Sequence, residues 1–164
     1  MKNKALFITQ AAAIAAIYTL LTCFAGAVGL ANGAIQLRFS EALTILPYFT
    51  PAAIPGLFIG CVLSNLLTGA VLWDVVFGSL ATLIGAVFTY LLRKKSFLLA
   101  PLPPIAANTL IVPFVLSYAY GVPDGIPFLM LTVGAGEVIS CGVLGLLLLK
   151  GLERFRTRIF GYTG

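Results

Sequence analysis

Glu137 and Asn108 are the side chains of this 164-residue chain best placed to do chemistry. Each falls about eleven residues in from one end of an apolar stretch, roughly 16 Å deep at the ~1.5 Å rise per residue of a helix. A carboxylate or an amide is costly at that depth in a bilayer, so each marks a candidate functional site. Gly134, Ser140 and Cys141 share the helical face of Glu137, and such small residues would leave room for a ligand beside the carboxylate. A protonated or paired structural glutamate is the competing reading.

A second polar group surrounds the stretch Asn32-Gly33-Ala34-Ile35-Gln36-Leu37-Arg38-Phe39-Ser40-Glu41. One reading is structural: Ser40 caps a helix, Glu41 sits favourably in its first turn, and Arg38 pairs with Glu41. The other is a loop that lids an outward-facing pocket, with Gln36, Arg38 and Glu41 joined by Asn65, Trp73, Asp74, Tyr118 and Tyr120. Aromatic rings at helix ends anchor at the membrane interface, and they are also surfaces on which a planar ligand stacks. Asp74, Gly78, Thr82, Gly85 and Thr89 form a further small, polar stripe at helical spacing, readable equally as a packing seam.

Catalysis finds no support. The chain has no histidine, no Gly-rich phosphate loop ending in Lys-Ser or Lys-Thr, and no Gly-x-Ser-x-Gly elbow. Rings of charge or a carbonyl filter, the marks of a channel, are missing too. Cys23, Cys61 and Cys141 lie in apolar runs without metal-ligand spacing and read as packing residues. Neither a metal nor another cofactor is expected.

The elements that position these residues follow from composition. Sixty per cent of residues are hydrophobic and 9% charged, against about 45–50% and 25% in a soluble domain, and the mean hydropathy is +1.09. An all-α integral membrane protein follows, a single transmembrane domain over residues 1–164, with no length left for a soluble catalytic or ATP-binding domain. Helices are expected at about 5–26, 40–49, 52–69, 73–92, 98–119 and 125–149. Helix 40–49 is too short to cross upright, since ten residues rise ~15 Å against a ~30 Å hydrocarbon core. Pro47, Pro51 and Pro55 break the pattern there, and the backbone groups they free need protein or a watery cavity as partner.

The net charge of +5 does not point to nucleic acid, because the basic residues cluster at helix ends. Lys2 and Lys4, Arg93 to Lys95, and Lys150 to Arg158 agree on one topology with both termini cytoplasmic. Leu20-Leu21-Thr22-Cys23 faintly resembles a lipoprotein cleavage site, but the run is read as the first membrane helix. Small residues at four-residue spacing, Gly56, Gly60, Ser64 and Thr68 on one helix and Ala11 with Ala15 or Ala12 with Ala16 on the first, permit close helix approach in lipid.

The run Gln36-Leu37-Arg38-Phe39-Ser40-Glu41-Ala42-Leu43-Thr44-Ile45-Leu46-Pro47, continued by Thr50-Pro51-Ala52-Ala53-Ile54-Pro55-Gly56-Leu57, resembles the QueT family of membrane proteins. Length, six spans, the long first connector, the short second helix and the prolines at 101, 103 and 104 extend the similarity over the chain. The resemblance implies a six-helix S component of an energy-coupling factor transporter, in the plasma membrane of a bacterium. It implies capture of a queuosine precursor from outside, with energy supplied by a transmembrane coupling subunit and two ATPases. It implies docking of that subunit on the first helix through Ala12 and Ala16 or through Ala11 and Ala15.

A 7-deazaguanine ligand would offer adjacent N–H donors to a carboxylate and a carbonyl to an amide, which Glu137 and Asn108 match. An aminomethyl cation on it would call for a second carboxylate, Glu41 or Asp74. An S component for another vitamin or base, a stand-alone proton-driven transporter using Glu137, and a non-transporting scaffold are the alternatives.

Overall fold

The computed structural model describes residues 2–29 and 38–160, and among these it contains helices and no β-strand. Four helices are long and apolar enough to cross a membrane: Lys4–Ala27, Leu72–Leu92, Phe97–Tyr118 and Ile126–Glu153. We name the elements α1 (Lys2–Ala27), the 3-10 segment (Phe39–Tyr48), α2 (Ala53–Leu67), α3 (Leu72–Leu92) and α4 (Leu102–Tyr118). The last long span consists of α5 (Ile126–Glu137), a π segment (Val138–Leu144) and α6 (Gly145–Glu153), and α7 (Arg156–Phe160) ends the described chain.

The expected second helix is the main departure. Residues 39–48 form ten residues of 3-10 helix, far beyond the usual three or four. Its tighter winding rises ~2.0 Å per residue, so it spans ~20 Å where an α-helix would span ~15 Å. The same residues thereby reach further while their backbone groups stay bonded within a helix, as a buried segment requires. Ser40 is not its cap: Arg38 occupies that position in extended conformation, and Ser40 instead accepts a hydrogen bond from Thr22 at 2.8 Å.

Side-chain contacts fix the directions. A Cβ on Gly56 would meet the Ala11 carbonyl oxygen at 2.8 Å, and one on Gly60 would meet Ala15 at 3.0 Å and the Tyr18 Cβ at 2.9 Å. Only glycine admits this approach, and the matched order makes α1 and α2 parallel. The 3-10 segment returns between them, since Thr22 meets Ser40, Tyr18 meets Glu41 and Gln10 meets Thr50. It lies at the centre of the bundle, with Ser40, Glu41, Leu43, Thr44, Ile45, Leu46 and Pro47 all buried.

The remaining helices wrap this axis. Gly85 of α3 sits against Pro104, where a Cβ would come within 2.7 Å of the proline Cα, and Thr89 donates to the Ala100 carbonyl at 2.9 Å. The stripe from Asp74 to Thr89 is thus buried as a seam of α3. Gly69 and Gly121 turn the chain after α2 and α4 with φ of +73° and +65°, a region glycine enters without penalty. At the far end Phe160 of α7 stacks on Phe49, ring centroids 5.0 Å apart.

Ala11 and Ala15 are therefore committed to packing against α2, which removes that register from the exposed surface. Ala12 and Ala16 remain exposed on α1.

Candidate functional site

Two irregular elements face each other at the bundle centre. Cys141 of the π segment donates to the Glu41 carbonyl of the 3-10 segment at 3.4 Å. The π segment begins directly after Glu137, and such wide turns concentrate at functional sites. Glu41 from one element and Glu137 with Cys141 from the other are thereby brought together, one ligand atom of each lying within 4.8 Å of the others.

Glu41 is 2% exposed. One carboxylate oxygen accepts the Tyr18 hydroxyl hydrogen bond and the other accepts from Asn108 Nδ2 at 3.3 Å. Glu137 is 8% exposed and accepts from the Cys141 thiol at 3.0 Å. Thr44 donates to the Glu41 carbonyl at 2.6 Å and lies 3.4 Å from the same sulfur. Asn108 and Glu137, with Arg38, Val112 and Val133, line a cleft of about 20 Å³, room for about one water. The space expected beside Glu137 is thus filled: Cys141 bonds the carboxylate, and Gly134 abuts Thr109, 3.4 Å from where its Cβ would stand.

Above this cleft lies a polar cavity of about 750 Å³, whose lining includes Thr22, Arg38, Asn65, Thr68, Asp74 and Tyr120. That volume falls in the range of small-molecule sites. Arg38 pairs here with Asp74 at 4.0 Å, not with Glu41. Asp74 also accepts from Tyr120 at 3.0 Å, and Asn65 donates to the Asp74 carbonyl at 3.3 Å. Partial burial first, and then the neighbouring Asp74 carboxylate, push the Tyr120 phenol above its usual value and keep it a donor at neutral pH.

Of the nine candidate ligand-binding residues, Glu137, Asn108, Glu41, Arg38, Asn65 and Asp74 line these two connected regions or bond within them. Trp73 and Tyr118 do not: they are 60% and 79% exposed and border a separate apolar cavity of about 560 Å³ between α3 and α4. Trp73 stacks on Phe77 and Tyr118 on Phe114, as lipid-facing aromatics at helix ends do. Gln36 lies outside the described residues.

Tyr18 and Thr44 belong to the site and escaped the sequence reading. The available signal is that a tyrosine hydroxyl needs a partner when buried, but nothing in the apolar run around Tyr18 points to Glu41. Cys141 shares the Glu137 face, as its spacing predicts, and acts there as a hydrogen-bond donor, which spacing alone does not show.

The family resemblance is borne out by comparison with known proteins. The family described as QueT transporter matches residues 8–154. The queuosine precursor transporter QueT of Lactococcus lactis subsp. cremoris (strain MG1363) is 38% identical over 84 residues, 51% of this chain and 48% of that protein. The match thus spans about half the length of that relative. No solved structure matches. Because the family match runs through nearly the whole chain, including both irregular elements and every candidate side chain from Arg38 to Glu137, the chain belongs to the QueT transporter family.

Proposed function

We propose that this chain captures a queuosine precursor of the 7-deazaguanine class as the S component of an energy-coupling factor importer. The observation that carries the reading is the convergence of Glu41, Glu137 and Asn108 beneath a polar cavity of ligand size. In this reading Glu137 accepts the paired N–H donors of the guanine-type edge, Asn108 meets its carbonyl, and Glu41 balances a cationic substituent such as aminomethyl. The name of the Lactococcus relative supports the ligand class.

The 3-10 segment and α2 add two crossings to the four long spans, giving six with both termini cytoplasmic. The basic clusters at Lys2 and Lys4, Arg93 to Lys95, and Lys150 to Arg158 all then face inward, the arrangement favoured in the plasma membrane of a bacterium. Of the two alanine registers, Ala12 and Ala16 are the pair exposed on α1, and the coupling subunit docks there, with two ATPases supplying the energy.

Binding of 7-aminomethyl- and 7-cyano-7-deazaguanine to the purified protein, measured by calorimetry beside guanine and unrelated vitamins, tests the ligand class. Saturable binding of a 7-deazaguanine alone supports it, and binding only of another vitamin overturns it. Uptake into vesicles tests the energy source. Transport should require the coupling subunit and ATPases. Transport without them, collapsed by a protonophore, would make the chain a proton-driven transporter.

A further inference from the structure

Arg38 borders both cavities, the outer one of about 750 Å³ and the inner one of about 20 Å³. It lines both, with Asp74 beside it on the outer cavity, Glu137 on the inner cleft, and Glu41 bonded to Asn108 of the inner lining. Three of the chain's five acidic residues thus gather round one guanidinium. Its charge acts on all three neighbours, yet its ion pair with Asp74 is long, at 4.0 Å. Asp74 holds a second oxygen, Oδ1, that is buried and has no hydrogen-bond partner among the described residues. A buried acceptor in that state is costly, and a guanidinium can fork across both oxygens of one carboxylate.

From these observations we infer that Arg38 is a displaceable counter-ion, which fills the seat of the ligand over Glu41 and Glu137 and yields it by closing a two-pronged pair with Asp74. The ligand's role rests on the proposed function; the movement itself does not. The inner cleft holds about one water, so nothing the size of a bicyclic base reaches Glu137 while Arg38 stays. Asp74 supplies the alternative partner that offsets the loss of the other two carboxylates. Arg38 is on this account a positioning residue, acting on access to the carboxylates and not as a ligand contact.

Cys141 provides a readout that needs no ligand. Its thiol is hydrogen-bonded at 3.0 Å to Glu137, which lines the inner cleft together with Arg38, and it is 1% exposed. Its labelling by a small methanethiosulfonate, located by peptide mass spectrometry on the full-length protein, reports whether the cleft is open. We expect Arg38→Met to raise that labelling rate about tenfold or more, and Asp74→Asn, which removes the receiving carboxylate, to lower it by a similar factor, the scale of one charge-assisted hydrogen bond.

The association rate of 7-aminomethyl-7-deazaguanine should shift in the same opposite directions. Equal labelling in all three proteins, or slower labelling in Arg38→Met, would overturn the inference. So would a loss of affinity in Arg38→Met with Cys141 labelling unchanged, which would make Arg38 a direct ligand contact. If Arg38→Met does not fold, Asp74→Asn, nearly the same shape as the native residue, decides by its labelling rate. Absence of 7-deazaguanine binding in the wild type would count against the proposed function, leaving the labelling result to judge the movement of Arg38.

Discussion

Replacing Tyr18 by phenylalanine removes one oxygen from the centre of the bundle and leaves the ring in place. Tyr18 is 1% exposed and its hydroxyl donates to Glu41. The ring that remains fills the same space, so no cavity term enters, and the change isolates the hydrogen bond. Two scales bound its worth. Bonds to charged groups contribute about 1.5–3 kcal/mol, while interhelical bonds measured in membranes average about 0.6 and reach about 1.7 kcal/mol. The overlap, about 1.5 kcal/mol, is the appropriate figure, because Glu41 is buried and, among the described residues, retains only Asn108 at 3.3 Å as a side-chain donor.

At about 2–4 °C per kcal/mol for a chain of this size, Tyr18→Phe should lower Tm by about 3–6 °C. Thermal unfolding in detergent, followed by circular dichroism, measures this. Tyr118→Phe is the control, since that tyrosine is 79% exposed and its ring stacks on Phe114, so its Tm should not move. A Tm for Tyr18→Phe within about 1 °C of wild type, corresponding to less than ~0.5 kcal/mol on the same scale, would refute the claim that this bond anchors Glu41.

Other outcomes follow from packing and from the exposed helix face. Gly85→Ala should lower Tm, because its Cβ would come within 2.7 Å of the Pro104 Cα and overpacking costs about 1–3 kcal/mol. Gly151→Ala, which meets nothing within 4 Å among the described residues, should instead raise Tm through the roughly 0.8–1.0 kcal/mol helix preference of alanine. On the proposed function, Ala16→Trp should leave ligand binding intact while abolishing co-purification with the coupling subunit. Ala15→Leu should destabilise the fold itself, since that residue meets Gly60.

How far the sequence reaches depends on the kind of information each feature needs. The four long apolar helices, the turns and the buried carboxylates are legible because hydropathy, proline placement and the cost of burying charge act locally. The α1 stripe was legible as a close-approach surface, yet Ala11 with Ala15 and Ala12 with Ala16 satisfy the same spacing. Only the position of Gly56 and Gly60 opposite Ala11 and Ala15 distinguishes them.

The 3-10 form of residues 39–48 was not legible, because residue preferences for tight and ordinary helix differ little over ten residues. The pairing of Arg38 with Asp74, the donation from Tyr18 to Glu41 and the separation of Trp73 and Tyr118 from the polar cavity all join or divide distant parts of the chain. Spacing along one strand of sequence carries no such information. Asn108 and Glu137 are the instructive exception, since they lie at equal depth from their helix ends and line one cleft.

The central claim is that Glu137 reads the base edge of a 7-deazaguanine. Calorimetry of Glu137→Gln beside the wild-type protein tests it most directly, because the amide keeps the shape of the carboxylate and loses its charge and one acceptor. Loss of one or two charge-assisted bonds, about 1.5–3 kcal/mol each, should weaken binding by roughly tenfold to several-hundredfold or more. Unchanged affinity in a folded Glu137→Gln protein would contradict the account and remove Glu137 from the site.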